Sequence, residues 1–279
     1  MTIYDLHSHS NASDGTLTPT ELIQRAKSQG VTSLALTDHD TTQGIPEAQH
    51  AAQQVGIQII PGVEISTSWG KHGIHIVGLN IDIHNPLLQE GLSQLQNIRV
   101  ERAAKMGQKL EKAGIPNAME GAQTLAGKGN VTRTHFARHI VNIGKAESIS
   151  AVFKHYLSHN KPGYVKTQWA PLQDAIQWIK AANGQAVVAH PDRYKMTATK
   201  FRAFLNDFKA FGGSGIEVVY SGSNRDVIMN NARFAKEFDL YASTGSDFHS
   251  PGLPWAELGK LPPLPKELTP IWHSWTSSL

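Results

Sequence analysis

Histidine and acidic side chains recur near the ends of predicted strands along this chain, and such side chains bind divalent metal ions. His7 and His9 lie two positions apart in a predicted strand, so their imidazoles point to the same face. Asp14 follows in a turn marked by Ser13 and Gly15. The complete set of candidate ligands is His7, His9, Asp14, His39, Glu64, His75, His190, Asp247 and His249.

These nine candidate ligands exceed the number that one tetrahedral ion takes, which is about four. They suit two or three ions, with a carboxylate such as Glu64 bridging. Because the chain has no cysteine, the ligands are nitrogen and oxygen atoms, which fit Mn²⁺, Zn²⁺ or Fe²⁺ better than Ca²⁺. Clustered ions lower the pKa of bound water and neutralise phosphate oxygens. The pattern therefore favours phosphoester hydrolysis, with amide or lactam hydrolysis in an amidohydrolase-like barrel as the second alternative.

Not every histidine of the chain belongs to this set. An isolated histidine is seldom a metal ligand, and we expect six of the 14 histidines to be ordinary. These are His50, His72, His84, His155, His159 and His273. The joint occurrence of the candidate ligands at successive strand ends favours the metal interpretation. Two interpretations stay open for Asp5, Asp38 and Asp40, which either orient the ligating imidazoles or form turns.

Strand and helix patterns alternate through most of the chain, which is typical of a β/α architecture with parallel strands. Strands are predicted at 3–9, 31–37, 57–60, 74–79, 185–189, 215–220 and 240–244. Glu64 lies at or just beyond the end of the third strand. About seven strands predict a closed or nearly closed barrel, whose site lies at the carboxyl ends of the strands. Helical patterns interrupt the alternation, so we predict a barrel formed by 1–85 and 165–279 with a helical insertion over 86–164.

Bulk composition excludes two classes of protein. With 279 residues and a formal net charge of +3, the chain does not bind nucleic acid through bulk positive charge. No apolar run is long enough to cross a bilayer, and the first residues lack the pattern of a signal peptide. We therefore expect a cytoplasmic protein without membrane contacts.

Six short motifs carry most of the candidate ligands. They are Asp5-Leu6-His7-Ser8-His9, Thr37-Asp38-His39-Asp40, Pro61-Gly62-Val63-Glu64, His75-Ile76-Val77-Gly78, Ala189-His190-Pro191 and Ser246-Asp247-Phe248-His249. In these motifs the chain resembles the polymerase and histidinol phosphatase (PHP) family. The resemblance implies an α/β fold, a distorted (β/α)7 barrel, with three divalent ions, for which we expect Mn²⁺ before Zn²⁺ or Fe²⁺.

The same resemblance implies how the ligands are shared. The first ion takes His7, His9, Glu64 and Asp247, the second takes Asp14, His39 and His249, and the third takes Glu64, His75 and His190. We expect Asp14 and His190 to be essential for catalysis as well.

Motifs in the inserted region indicate one particular branch of this family. Glu120-Gly121-Ala122 and the segment from Val131 to Arg138 are similar to a bacterial branch that hydrolyses nucleoside 3′,5′-bisphosphates such as 3′-phosphoadenosine 5′-phosphate (pAp). That branch is also described as the 5′→3′ exoribonuclease RNase AM, which implies short RNA and the 5′ ends of ribosomal RNA as substrates. Both reactions are attack at the phosphorus attached to a 3′-oxygen, so one site can catalyse both.

Arginines in and near the insertion predict a second contact to the substrate. Arg99 and Arg102 lie three apart on the first inserted helix, and Arg133 follows a glycine-rich turn. Guanidinium groups bind terminal phosphates bidentately, so we predict that these three bind the 5′-phosphate. We expect Arg193 to help at the phosphate near the metals, and His135 to contact the substrate. A solvated helix face is the alternative for the arginines.

Two other functions stay open from the sequence. A PHP phosphatase for another small metabolite, similar to histidinol phosphate, would use the same ligands, although the helical insertion argues against it. A metal-holding accessory module, like the PHP domains attached to polymerases, would have no activity of its own. The complete set of ligands argues against this second alternative. We expect the protein to be a monomer.

Overall fold

A barrel-shaped sheet positions the candidate ligands in the computed structural model, which describes residues 2–275. The strands are β1 (Tyr4–Asp5), β2 (Ser33–Leu36), β3 (Gln58–Trp69), β4 (His72–Leu79), β5 (Ala170–Pro171), β6 (Gln185–Val188), β7 (Gly215–Tyr220) and β8 (Tyr241–Gly245). The α-helices are α1 (Pro19–Ser28), α2 (Ile45–Val55), α3 (Pro86–Lys112), α4 (Ala118–Ala126), α5 (Arg133–Asn142), α6 (Ile149–Val152), α7 (Leu172–Ala181), α8 (Ala198–Ala210) and α9 (Arg225–Glu237). The predicted α/β class is confirmed.

The strands follow one another around the sheet in the order β1-β2-β3-β4-β6-β7-β8, and the short β5 pairs with β3. The chain that follows β1 meets the end of β8, so the first and last strands become neighbours. There the Leu6 amide donates to the Thr244 carbonyl at 2.9 Å, and the Asp247 amide donates to the His7 carbonyl at 2.8 Å. These hydrogen bonds nearly close the sheet, which confirms the predicted distorted (β/α)7 barrel.

The third and fourth strands differ from the prediction. β3 continues through Glu64 to Trp69 instead of ending near Ile60, and β4 pairs antiparallel with both β3 and β6. The cause is the short turn between Trp69 and His72, in which Gly70 has a φ of 57°. A two-residue connection joins antiparallel strands, whereas parallel strands need a crossover of about a dozen residues. The prediction of a wholly parallel sheet is therefore wrong, and Glu64 lies inside a long hairpin.

Apolar side chains fill the barrel at the end opposite the candidate ligands. They are Leu6, Ala35, Ile60, Val77, Leu79, Val187, Ala189 and Ile271. Trp272 stacks on Tyr4 with ring centroids 4.1 Å apart, so the carboxyl-terminal segment covers this end of the barrel.

The described segment between α3 and β5 contains helices and no strand. Its apolar side chains, such as Phe136 and Ile140, form a separate cluster with Met106 and Leu110 from the second half of α3. The first half of α3 packs on the barrel instead, where Leu88 and Leu95 join the largest apolar cluster. One continuous helix thus connects the inserted helices to the barrel. None of the helices in residues 2–275 combines the length with the apolar character that crossing a membrane requires.

Candidate metal centre and arginine cleft

Four predicted ligands from the two ends of the chain and from β3 meet at one corner of the site. The Nε2 atom of His9 lies 3.2 Å from Asp247 Oδ1 and 3.3 Å from Glu64 Oε2. The Nε2 atom of His7 lies 3.4 Å from the same glutamate oxygen. Although His7 and His9 follow β1 instead of lying within it, their imidazoles converge as predicted. Four ligand atoms so arranged suit a four-coordinate ion.

Glu64 connects this corner to further groups of ligands. Within residues 2–275, two other groups could hold an ion: His9, Asp14, His39 and His249, and His39, Glu64 and His75. Asp14 Oδ1 lies 3.3 Å from His249 Nε2. The second oxygen of Glu64, Oε1, lies 2.8 Å from His75 Nδ1 and 3.0 Å from His190 Nε2. The structure thus gathers the predicted ligands around one buried carboxylate.

Unpartnered polar atoms indicate that cations complete this cluster. Within residues 2–275, the buried atoms without a hydrogen-bond partner include His7 Nε2, His9 Nε2, Asp14 Oδ1, His39 Nδ1, Glu64 Oε2 and His190 Nδ1. A buried polar atom left unpaired costs about 1–3 kcal/mol. Imidazole nitrogens and carboxylate oxygens are good ligands of Mn²⁺, Zn²⁺ and Fe²⁺, so these residues fit a divalent metal centre.

Charges within the cluster shift the pKa values of its members. Burial opposes the charged form of His9, yet Asp247 and Glu64 raise its pKa to about 10. Burial likewise opposes the charge on Asp14, but the facing His249 holds the pKa of that carboxyl well below its usual range. With its raised pKa, His9 holds a proton at neutral pH until a cation displaces it. Metal binding therefore releases protons and strengthens as the pH rises.

Glu217 of β7 supports two of the ligands, and sequence reasoning missed it. Its Oε1 atom lies 2.6 Å from His7 Nδ1, and its Oε2 atom accepts the backbone N–H of His190 at 2.6 Å. The second bond holds a strained backbone, because His190 has a φ of 28°. An acidic residue between Ile216 and Val218 in a fully buried strand is the signal that could have identified it.

Replacing Glu217 with glutamine is expected to weaken metal binding by about 10- to 100-fold. The amide has one acceptor oxygen, so either the His7 ring or the His190 amide loses its partner. Metal content after dialysis against a fixed Mn²⁺ concentration, measured by mass spectrometry, checks this result. Glu237→Gln, on the surface of α9, is the matched control. Equal metal content in the two variants would contradict the positioning role of Glu217.

The three aspartates whose roles were open have different surroundings. Asp38 accepts a hydrogen bond from the Ser13 hydroxyl at 2.5 Å, within the turn that leads to a candidate ligand. Asp5 accepts the Ser246 amide at 2.7 Å, one residue before another candidate ligand. Asp5 and Asp38 therefore hold in place backbone segments that carry candidate ligands. This role combines the two interpretations, because bonds within turns and loops here position the ligands. Asp40 instead forms an ion pair with an arginine of α3.

Arginines line a cleft of about 780 Å³ that extends from the candidate ligands to the insertion, here called the arginine cleft. Arg99 is buried, with Nε 2.6 Å from Asp40 Oδ2 and a terminal nitrogen 2.8 Å from Ser66 Oγ. Burial and the charges of Arg133 and Arg99 lower the pKa of Arg102 to about 9, so its guanidinium stays charged at neutral pH. Three clustered cations with one carboxylate between them form a site for an anion.

Aromatic side chains hold the arginines of this cleft in place. The guanidinium carbons of Arg99 and Arg102 lie 5.2 and 5.3 Å from the ring centroid of Trp169. Arg133 lies over the ring of Phe153 at 5.6 Å. Cation–π contacts of this kind restrict the guanidinium groups without neutralising them. The structure therefore brings together the three arginines that were predicted to bind the 5′-phosphate.

Two further residues predicted to bind substrate lie in different environments. Arg193 lines the cleft at its metal end, with a terminal nitrogen 2.5 Å from Asp247 Oδ2. His135 is buried, and its Nδ1 accepts the backbone N–H of Thr132 at 3.0 Å. Burial lowers the pKa of His135 to about 4, which keeps the ring neutral and able to accept this bond. The structure places His135 as a helix cap, and its contact with substrate stays a prediction.

The whole chain is similar to known proteins. The family model described as PHP domain matches residues 5–218. The chain is 52% identical over 270 residues to a 5′-3′ exoribonuclease of Haemophilus influenzae, which covers 97% of this chain and 98% of that protein. It is 48% identical over 274 residues to a 3′,5′-nucleoside bisphosphate phosphatase of Chromobacterium violaceum, covering 98% and 96%. A solved structure of an amidohydrolase from Chromobacterium violaceum, with bound sulfate and no metal, matches with a TM-score of 0.95 and 46% identity, covering 99% of this chain and 96% of that one.

Proposed function

This chain belongs to the PHP domain family, and on that premise we propose that it is a metal-dependent phosphoesterase acting on nucleotides and RNA. It removes the 3′-phosphate of nucleoside 3′,5′-bisphosphates such as pAp. It also degrades short 5′-phosphorylated RNA and the 5′ ends of ribosomal RNA in the 5′→3′ direction. The observation that carries the proposal is one cleft with metal ligands at one end and arginines at the other. A substrate with two phosphates on one nucleoside matches these two ends.

We propose three Mn²⁺ ions as cofactors, with Zn²⁺ or Fe²⁺ as alternatives. The first would be held by His7, His9, Glu64 and Asp247, the second by Asp14, His39 and His249, and the third by Glu64, His75 and His190. When bound, such ions activate a water molecule and neutralise charge on the phosphate oxygens. The three overlapping ligand groups support this assignment, although His39 takes the place of His190 in the third of them.

The side chains of the chain hold and orient the substrate around these ions. Arg102 and Arg133, next to the fixed Arg99, would bind the 5′-phosphate through bidentate guanidinium contacts. Arg193, beside Asp247, would contact the phosphate at the metal end and stabilise the charge that develops there. Binding at both ends holds the scissile phosphorus in one position, which lowers the entropic part of the barrier.

The proposal also assigns different roles to the barrel and to the insertion. We take 86–164 as a substrate-capping insertion on a barrel formed by 1–85 and 165–279. Arg102 and Arg133 come from the insertion, whereas the candidate metal ligands come from the barrel, so the substrate bridges both parts. One chain supplies the complete cleft, which supports a monomer. We propose a cytoplasmic location because nucleotides and RNA are made there.

A comparison of substrates tests the proposal. In the presence of Mn²⁺, kcat/KM for pAp is expected to exceed that for adenosine 3′-monophosphate about 100-fold, since one charge-assisted contact contributes ~3 kcal/mol. Release of inorganic phosphate is the measurement, and chelation of the metal should abolish it for both substrates. Equal rates would refute the 5′-phosphate site. Faster turnover of histidinol phosphate than of pAp would favour a phosphatase for another metabolite.

A further inference from the structure

We propose that the first turn of α5 couples binding of the substrate's 5′-phosphate to retention of the metal ion held by Asp14. Thr132 and Arg133 are consecutive residues, of which the first contacts Asp14 and the second lines the arginine cleft. The inference rests on the proposed function, because it takes Arg133 as a 5′-phosphate ligand and Asp14 as a metal ligand. A displacement of this turn therefore moves Thr132 at the metal end of the cleft and Arg133 at its arginine end.

The contact between the insertion and Asp14 is short and buried. The Thr132 hydroxyl donates to Oδ2 of Asp14 at 3.1 Å, and the two residues are 5% and 3% exposed. The other carboxylate oxygen, Oδ1, is unpartnered among the described residues and faces His249 Nε2 at 3.3 Å. Thr132 thus holds one oxygen of Asp14 while the other is left to bind a cation. A hydrogen bond of this kind sets the orientation of a ligand and the affinity for its metal.

The hydroxyl of Thr132 is itself held in one orientation by the helix cap. It accepts the backbone N–H of Thr134 at 3.1 Å, while the Thr132 N–H donates to His135 Nδ1 at 3.0 Å. This reciprocal arrangement is a capping box, with histidine in the position usually taken by glutamate or glutamine. The hydroxyl oxygen also lies 3.3 Å from His135 Nδ1, but that nitrogen already accepts the Thr132 N–H. The single hydroxyl proton is therefore left to point at Asp14.

Two other contacts pack the insertion against the turn that carries Asp14. Arg138, one helical turn further along α5, donates to the Asp14 backbone carbonyl at 2.8 Å. Gly129 lies so close to this turn that a Cβ added there would be 2.9 Å from the Asn11 carbonyl oxygen. The position of α5 therefore determines the position of Asp14.

Phosphate binding stabilises this same helix start. Arg133 lines the arginine cleft over the ring of Phe153, and no ion pair joins it to a carboxylate within the described residues. Burial and the nearby charge of Arg99 also lower its pKa. An anion bound in the arginine cleft compensates the charge of Arg133 and favours the arrangement in which α5 is docked. Docked α5 keeps Thr132 on Asp14, so the ion is retained. Because thermodynamic linkage is reciprocal, the bound ion must raise the affinity for the phosphate by the same factor.

A nucleotide that lacks the scissile 3′-phosphate tests the coupling. The probe is 2′,3′-dideoxyadenosine 5′-monophosphate, which has the 5′-phosphate but no 3′-oxygen. Mn²⁺ is titrated into metal-depleted protein with and without the probe, and free Mn²⁺ is followed by electron paramagnetic resonance. In the wild type, the probe is expected to tighten the weakest-bound Mn²⁺ about tenfold. In Thr132→Val the probe still binds but no longer changes Mn²⁺ affinity, whereas Thr132→Ser, which keeps the hydroxyl, retains the effect.

The outcomes separate this inference from the proposed function. A probe that binds the wild type without changing Mn²⁺ affinity overturns the coupling and leaves the proposed function intact. A probe that does not bind metal-free wild type overturns the 5′-phosphate site and the coupling with it. An effect that persists in Thr132→Val overturns the role of Thr132. The wild-type titration is decisive even if the valine variant does not fold.

Discussion

Replacement of Glu64 by glutamine is expected to lower kcat for pAp about a thousandfold or more, which corresponds to ~4 kcal/mol in the transition state. The two carboxylate oxygens lie 2.8–3.4 Å from ring nitrogens of five histidines, which are His7, His9, His39, His75 and His190. The amide has the same shape but no charge, and one of its two terminal atoms becomes an N–H donor that cannot bind a cation. Two of the three ligand groups contain Glu64, so one substitution affects both.

Phosphate release at saturating pAp and metal content per chain check this result together. Glu101→Gln is the matched control, because Glu101 lies on α3 with its side chain 74% exposed and should retain wild-type activity. Asp14→Ala and His190→Ala are expected to behave like Glu64→Gln, since each removes a candidate ligand. Wild-type turnover by Glu64→Gln would show that the reaction does not need this carboxylate.

Arg133→Ala is expected to lower kcat/KM for pAp about 100-fold while changing that for adenosine 3′-monophosphate less than about threefold. The guanidinium lines the arginine cleft and contacts Phe153, and no ion pair with a carboxylate involves it in residues 2–275. Truncation therefore removes contacts to the 5′-phosphate without leaving a buried carboxylate unpaired. Steady-state kinetics on both substrates separate this selective loss from a general one.

Two further variants sharpen the result for Arg133. Arg133→Lys keeps the charge but loses the guanidinium fork, so an intermediate loss on pAp is expected. Arg233→Ala on α9 is the control for removing a surface arginine, since its guanidinium hydrogen-bonds Asn230 and lies over Phe234, both on the same helix. A similar loss on both substrates in Arg133→Ala would contradict a role at the 5′-phosphate.

Local patterns were sufficient to predict most elements of the barrel. Thr18 and Glu21, three positions apart in the sequence, form a capping box at the start of α1, with the Glu21 amide 3.2 Å from the Thr18 hydroxyl. The direction of β4 could not be predicted in the same way, because side chains alternate identically in parallel and antiparallel strands. The information lies in the short turn between Trp69 and His72, which is too short for a crossover.

The sequence was sufficient to predict those site residues whose side-chain type by itself indicates the chemistry. Histidines and carboxylates at strand ends are informative because few other functions require them there. Glu217, Thr132 and Arg138 support ligands through positions that only the folded chain brings together, so their types and spacing carry little signal. His135 shows the converse, because a residue type suited to binding substrate serves here to cap a helix.

Closure of the barrel between its first and last strands has a consequence for the biosynthesis of this protein. Asp5 and Ser246, which hydrogen-bond across the seam, are 241 positions apart in the sequence. At ~5–20 residues per second, translation of that length takes on the order of 10–50 s. During this time His7 and His9 have no Asp247 to complete their group of ligands. A nascent chain therefore cannot assemble this group of candidate ligands until the residues that follow the last strand have emerged.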